Sequence, residues 1–128
     1  MKTKIYLLFV LIICCGMNIH CKTGNRTGSA NISFSVEENE ERFSIFADYD
    51  PANTKKVELV LDKYLKESNG PSFVNTKLDA KMTLRNRTVF YIKHGSGKLK
   101  IKLDKDINSV QTVQTFKKMA EELKGSIL

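Results

Sequence analysis

The spacing of apolar side chains in this chain switches from two residues to about 3.6 residues, and it does so twice in the same way. First, Phe43, Ile45 and Ala47 alternate with Ser44, Phe46 and Asp48, and then Val57, Val60, Leu61, Tyr64 and Leu65 fall on one helical stripe. Later, Leu99, Ile101 and Leu103 alternate with Lys100 and Lys102, and Val113, Phe116, Ala120, Leu123 and Ile127 recur at helical spacing. The short period buries one face of a strand and the long one buries one stripe of a helix, so each segment predicts a strand leading into a helix over a shared core. The junctions match too. Phe43-Ser-Ile45-Phe-Ala47-Asp48-Tyr-Asp50 and Leu99-Lys-Ile101-Lys-Leu103-Asp104-Lys-Asp106 both read apolar-x-Ile-x-apolar-Asp-x-Asp, with Asn53 or Asn108 close behind. This is the pattern of one strand-to-helix corner used twice, in the manner of an internal repeat.

The remaining elements fill in around that pair. Ile32, Phe34 and Val36 alternate with Asn31, Ser33 and Ser35, and the acidic turn Glu37–Glu41 joins them to the Phe43 strand as an antiparallel hairpin. Asp50-Pro51 suits a helix start, because Asp can cap free N–H groups and Pro is tolerated in a first turn; Ser68-Asn69-Gly70-Pro71 stops that helix. Leu78, Ala80, Met82 and Leu84 mark a further strand with these residues toward the helices, and Phe90 and Ile92 mark the next. Arg85-Asn86-Arg87 and His94-Gly95-Ser96-Gly97 are short enough to be hairpin turns. The expected fold is α+β in the order ββαβββα, a twisted antiparallel five-stranded sheet with two helices on one face. Strand order cannot be read from the pattern. Residues 31–128 make a single domain and leave no room for a second.

The three cysteines, Cys14, Cys15 and Cys21, all precede this domain. A cysteine-free body has no disulfide, zinc cluster or cysteine nucleophile and must stand on its apolar core. Met1-Lys2-Thr3-Lys4 followed by the apolar run Ile5–Ile13 reads as a bacterial export signal. Even extended to Ile19 the run falls short of the about 20 residues of a spanning helix, so a permanent span is the weaker alternative. No A-x-A cleavage site stands at the cysteines, and a lipoprotein signal instead ends at a cysteine that takes the lipid. Cys21 is favoured over Cys14 and Cys15, because the apolar run ends shortly before it and Lys22-Thr23-Gly24-Asn25 follows, although Asn18-Ile19-His20 is a poor lipobox. The expected division is a signal segment 1–21 with the lipidated cysteine, a flexible tether 22–30 reaching roughly 30 Å at full stretch, and the domain 31–128. The expected location is the cell envelope, as an exported, membrane-anchored lipoprotein, with a secreted or periplasmic protein as the alternative.

Cys21-Lys22, the polar tether and the segment RFSIFADYDPANTKKVELVLDKYL together resemble small exported lipoproteins of Bacteroidetes-type bacteria whose function is uncharacterised. The resemblance covers the leader and the first ββα unit. It implies attachment to a membrane through an N-terminal lipid and carries no catalytic residue to this chain.

Catalytic constellations are scarce. Asp104, Asp106 and Asn108 stand at positions 1, 3 and 5 of an EF-hand loop, but position 6 is Ser109 rather than Gly and position 12 is Thr115 rather than Glu. The Asp-x-Asp corners are therefore expected to cap helix N-termini, through Asp50 and Asp106. His94, the only histidine of the body, is expected in a solvated glycine-rich turn, and no G-x-S-x-G elbow surrounds Ser96. No metal and no cofactor is expected.

Charge is more informative. The chain holds 21 Lys and Arg against 14 Asp and Glu, and Lys77, Lys81, Arg85, Arg87, Lys93, Lys98, Lys100 and Lys102 cluster around the single Asp79. Alternation turns Lys77, Lys81, Lys98, Lys100 and Lys102 away from the helices, and Arg87, Val89, Tyr91 and Lys93 with them. Lys81, Arg87, Tyr91, Lys93, Lys98, Lys100 and Lys102 are the candidate binding residues. The plainer explanation of the same lysines is a solvated face whose edges resist aggregation. The expected function is a non-enzymatic binding module for an anionic glycan, a lipid headgroup or an acidic protein. Nucleic acid comes last, since no aromatic RNP motif is present. The alternatives are a small hydrolase using Asp48, Asp50 or His94, which would need those groups to converge in a pocket, or a protein-inhibitor or structural partner domain.

Overall fold

A computed structural model describes residues 31–128. The expectations for the leader, the tether and Cys21 lie outside the described residues. The domain runs β1 (Ser33–Glu38), β2 (Arg42–Asp48), a 3-10 turn (Pro51–Asn53), α1 (Thr54–Leu65), β3 (Leu78–Thr83), β4 (Val89–Gly95), β5 (Lys98–Asp104) and α2 (Val110–Ile127). All five strands form one antiparallel sheet in the order β1-β2-β5-β4-β3. The α+β fold expected from the alternating and helical periods is the fold observed.

One face of the sheet holds the core. Phe43, Ile45 and Ala47 of β2, Phe90 and Ile92 of β4, and Leu99, Ile101 and Leu103 of β5 are buried against Val57, Leu61 and Leu65 of α1 and Val113, Phe116, Met119 and Leu123 of α2. Phe90 and Phe116 meet edge to face at 5.4 Å, the arrangement their ring quadrupoles favour. The helices cover the middle three strands and leave the outer two thinly roofed. On β3, Leu78 and Met82 are partly buried, whereas Ala80, expected under the helices, is exposed at the sheet edge. Phe73 joins the core from the α1–β3 loop, which Asp62 of α1 pins by accepting hydrogen bonds from Ser72 Oγ at 2.6 Å and from the Phe73 amide.

The repeated corner has a geometric counterpart. β2 and β5 are adjacent and antiparallel, centred on Ile45 opposite Ile101, so Phe43 faces Leu103 and Ala47 faces Leu99. A pseudo-two-fold through that pair exchanges β2 with β5, β1 with β4 and α1 with α2. Two ββα units thus meet along one seam, and β3 is the strand without a counterpart.

The corners themselves differ. At the first, Asp50 Oδ1 accepts from the Ala52 amide at 2.9 Å and caps the 3-10 turn as expected. At the second, α2 is capped by Ser109, whose Oγ accepts from the Thr112 amide at 3.1 Å. The expectation that Asp106 caps this helix is corrected: the described residues give its side chain no hydrogen bond, and the shorter serine one residue before the helix takes the position. Asn108, two residues after Asp-x-Asp ends at Asp106, works as a latch. Its Nδ2 donates to the Val89 carbonyl at 2.8 Å and the Asp104 carbonyl at 2.7 Å, and its Oδ1 accepts from the Val89 amide at 2.9 Å.

The β4–β5 turn is Ser96-Gly97, and its glycine is obligatory. Gly97 has φ +76°, and a Cβ there would lie 2.8 Å from the Tyr49 carbonyl oxygen. The close approach lets the Tyr49 amide donate to the Gly97 carbonyl at 2.9 Å, extending the central seam by one pair.

Candidate functional site

The face opposite the helices is open, and the register fixes which side chains share it. One cross-strand row reads Phe46, Lys100, Lys93, Asp79, and the next reads Ser44, Lys102, Tyr91, Lys81. Lys98 and Asp48 face each other at one end, Arg42 and Asp104 at the other. Of the residues expected at this surface, Lys81, Tyr91, Lys93, Lys98, Lys100 and Lys102 all stand on it. Arg87 does not: it occupies the β3–β4 turn with φ +67°, before β4 begins, and the alternation that placed it on the face is interrupted there.

Two grooves cross the face, each built around an aromatic ring. The larger, of about 730 Å³, runs over Phe46 and is bordered by Lys77, Lys93, Lys98 and Lys100, with Asp48 and Asp79 at its margins. The smaller, of about 240 Å³, lies by Tyr91 among Arg42, Lys81, Lys102 and Asp104. Phe46 and Arg42 were not among the expected site residues. Phe46 breaks the polar side of the β2 alternation, and that apolar residue on the solvent side was the available signal.

The electrostatics are those of partly compensated cations. Lys93 Nζ lies 3.8 Å from Asp79, and Lys98 Nζ 3.9 Å from Asp48, with all four side chains more than half exposed, so water and salt screen both pairs. Asp79 is engaged a second time by the Tyr91 hydroxyl at 2.7 Å, and this hydrogen bond to the carboxylate raises the Tyr91 pKa above its ordinary value. Lys100 Nζ sits 5.5 Å from the centre of the Phe46 ring. Lys81, Lys100 and Lys102 form no ion pair among the described residues. Lys93 and Lys100 are direct cross-strand neighbours, an arrangement that costs rather than gains stability.

The groups of the hydrolase alternative fall on different sides of the sheet. Asp48 is exposed on the open face, where its carboxylate accepts from Ser33 Oγ at 3.4 Å. Asp50 caps the 3-10 turn. His94 corrects the expectation of a solvated turn: it is the penultimate residue of β4, 3% exposed, on the helix-facing side with Phe90 and Ile92. Its Nδ1 lies 3.0 Å from the Thr76 carbonyl, a partner that can only accept, so the proton is on Nδ1. Nε2 is buried without a hydrogen-bond partner. The glycines after His94 suggested a longer turn than the two residues the chain uses, and the strand claimed the histidine.

Among the described residues no three His, Cys, Asp or Glu side chains converge as a metal site would require, and no helix is long and apolar enough to cross a membrane. Compared with protein-family models, curated proteins and solved structures, the chain matches none.

Proposed function

We propose that this domain is a lipid-anchored module of the cell envelope that captures an anionic partner, a glycan or an acidic lipid or protein surface, on the open face of its sheet, and that it does so without catalysis. The observation that carries the reading is the Lys93–Lys100 neighbour pair beside Phe46. Like charges set directly opposite destabilise a sheet by a few tenths of a kcal/mol to roughly 1 kcal/mol, and a bound anion reverses the sign of that term. Asp79 offsets Lys93 in part and Asp48 offsets Lys98, but Lys81, Lys100 and Lys102 have no ion-pair partner among the described residues. Phe46 and Tyr91 supply flat apolar surface on which a sugar ring or an acyl-chain root can rest, while the ammonium groups around them meet its charges. Nucleic acid is the least supported anion, since no further aromatic stacks beside these two.

The test is binding of the parent and the Lys98→Glu/Lys100→Glu/Lys102→Glu chain to envelope polysaccharide and to acidic vesicles at low and physiological salt. Leu99, Ile101 and Leu103 are untouched by these changes, so the fold should persist. The parent should bind more weakly as salt rises, and the variant should lose at least tenfold in affinity. Equal binding by the two would return the lysines to a solvating role. For the anchor, incorporation of labelled fatty acid should disappear in Cys21→Ser; labelling that survives would remove it.

A further inference from the structure

The pseudo-two-fold exposes an asymmetry. On one half, β4 is followed across the sheet by β3, whose Leu78, Ala80 and Met82 lie opposite His94, Ile92 and Phe90 on the helix-facing side. On the other half the equivalent strand is β1, and among the described residues no strand lies beyond it. We infer that this vacant position is filled by β1 of a second copy of the chain, which pairs antiparallel with it across a true two-fold at Ser35.

Backbone parity selects the register. The Asn39 amide donates to the Arg42 carbonyl at 2.9 Å, which makes Asn39 and Arg42 a hydrogen-bonded pair of the β1–β2 hairpin. Alternation along an antiparallel ladder then turns the backbone groups of Glu37, Ser35 and Ser33 toward β2 and leaves those of Phe34, Val36 and Glu38 pointing out of the sheet. A second β1 can satisfy them only by pairing even positions with even positions. Centring the two-fold on Ser35 does so and uses the strand as it is formed. Phe34 then faces the partner's Val36, and Val36 the partner's Phe34. Ser33 faces Glu37, and no like charges meet.

This register also reproduces the other half. Ile32, Phe34 and Val36 of the second copy would stand opposite Glu38, Val36 and Phe34, where β3 sets Leu78, Ala80 and Met82 against β4. The exposed surface agrees: Val36, on the helix-facing side, is 43% exposed, high for an apolar residue there, and Ile32, one residue before the strand, is 49% exposed. A groove of about 360 Å³ between β1 and α2, floored by Val36, Phe43 and Ala120, runs alongside and would be roofed by the incoming apolar residues. No lysine or proline of β1 guards this edge, the usual means of blocking edge pairing. The paired sheet would carry both basic faces on one side.

Ser35 at the axis provides a sharp test. It falls in a non-hydrogen-bonded pair, where cross-strand Cα atoms approach to about 4.5 Å, within the range a disulfide spans. In the full chain with Cys14, Cys15 and Cys21 replaced by serine, which removes the proposed lipid site and every other thiol, Ser35→Cys should give a reducible covalent dimer under mild oxidation of whole cells, wherever the chain fractionates. Thr83→Cys, on the opposite edge, should give none. A second variant, Val36→Lys, should abolish cross-linking through Ser35→Cys while circular dichroism stays that of the parent. A Ser35→Cys chain that folds and reacts with a thiol reagent yet stays monomeric would overturn the proposal. Equal cross-linking from Thr83→Cys would also overturn it, as would Ser35→Cys joined to a different protein instead of to itself.

Discussion

The two strand-to-helix corners share a sequence pattern and a symmetry axis, yet they are fastened by different chemistry. The first leans on backbone and burial. Gly97 presses against the Tyr49 carbonyl, Tyr49 is buried with its hydroxyl toward the Gly95 carbonyl at 3.4 Å, and Asp50 closes one short turn. The second leans on side-chain polarity. Asn108 bridges β4 and β5, and Lys105, which occupies the place of Tyr49, donates to Glu38 Oε1 and the Asn39 carbonyl, both at 2.9 Å. An equivalent pattern in the chain therefore specifies where the turn falls, while the contents of each turn follow from what is packed beside it. The first corner abuts the β4–β5 hairpin and can be sealed by a ring. The second abuts the start of β4, whose free amide and carbonyl demand polar partners.

The largest effect should come from the position where the corners differ most. Asn108→Ala leaves the Val89 amide and carbonyl and the Asp104 carbonyl without their partner, and the loss should be about 2–3 kcal/mol. The asparagine of the first corner, Asn53, stands one residue later in the pattern and makes no capping hydrogen bond, and Asn53→Ala should change stability by less than about 0.5 kcal/mol. Urea unfolding of the two variants measures the contrast directly. Equal losses would mean that the corners are chemically as well as geometrically equivalent.

The acidic pair should invert the order. Asp50→Ala should cost about 1 kcal/mol, the usual price of a lost cap, and Asp106→Ala should cost less than about 0.5 kcal/mol, again by denaturant midpoint. A loss at Asp106 matching that at Asp50 would restore it as a cap.

The smallest effects separate the corners by pH. Burial first, with the nearby charge of Glu58 adding and a hydrogen bond with Thr54 opposing, pushes the Tyr49 pKa up to about 12. A pKa raised in the folded state gives stability that is complete below the ordinary value of 10.0 and is lost as pH climbs toward 12. At the other corner, hydrogen bonds from Lys105 and then Lys117 hold the Glu38 carboxyl below its ordinary 4.5, which gives stability present above that value and lost as pH falls through the lowered one. Tyr49→Phe should flatten the alkaline limb of a thermal-stability profile, and Glu38→Gln should flatten the acid limb by a smaller, salt-sensitive amount. Either variant flattening the opposite limb would contradict the assignment.

Much of this was legible in the chain because the relevant physics is local. Alternation located every strand, and the stripes Val57–Leu65 and Val113–Ile127 located both helices, since burial of one face imposes its period directly. The duplicated corner was visible for the same reason. The pairing of β2 with β5 was not, because no local signal says which strands meet across the sheet. Local chemistry misled at three places. His94 looked like a turn residue beside its glycines, but a turn of two residues left it in the strand. Asp106 looked like a cap, but Ser109 stands closer to the helix. Arg87 looked outward by counting, but a residue at positive φ resets the alternation. At the candidate surface the lysines were predictable and the grooves were not, since Phe46, Arg42 and Lys102 are brought to one face only by the non-local seam.

That seam has a kinetic consequence. The β1–β2 and β4–β5 hairpins and the helix that follows each are built from short-range contacts, and chains form such contacts quickly. The β2–β5 ladder joins segments separated by α1, β3 and β4, so closing it must overcome the entropy of the intervening loop. The slow event in folding should then be the closing of that ladder, and Ile45 and Ile101 at its centre are where mutation should slow folding more than it speeds unfolding, as the two arms of a denaturant-dependence plot of the rates would show.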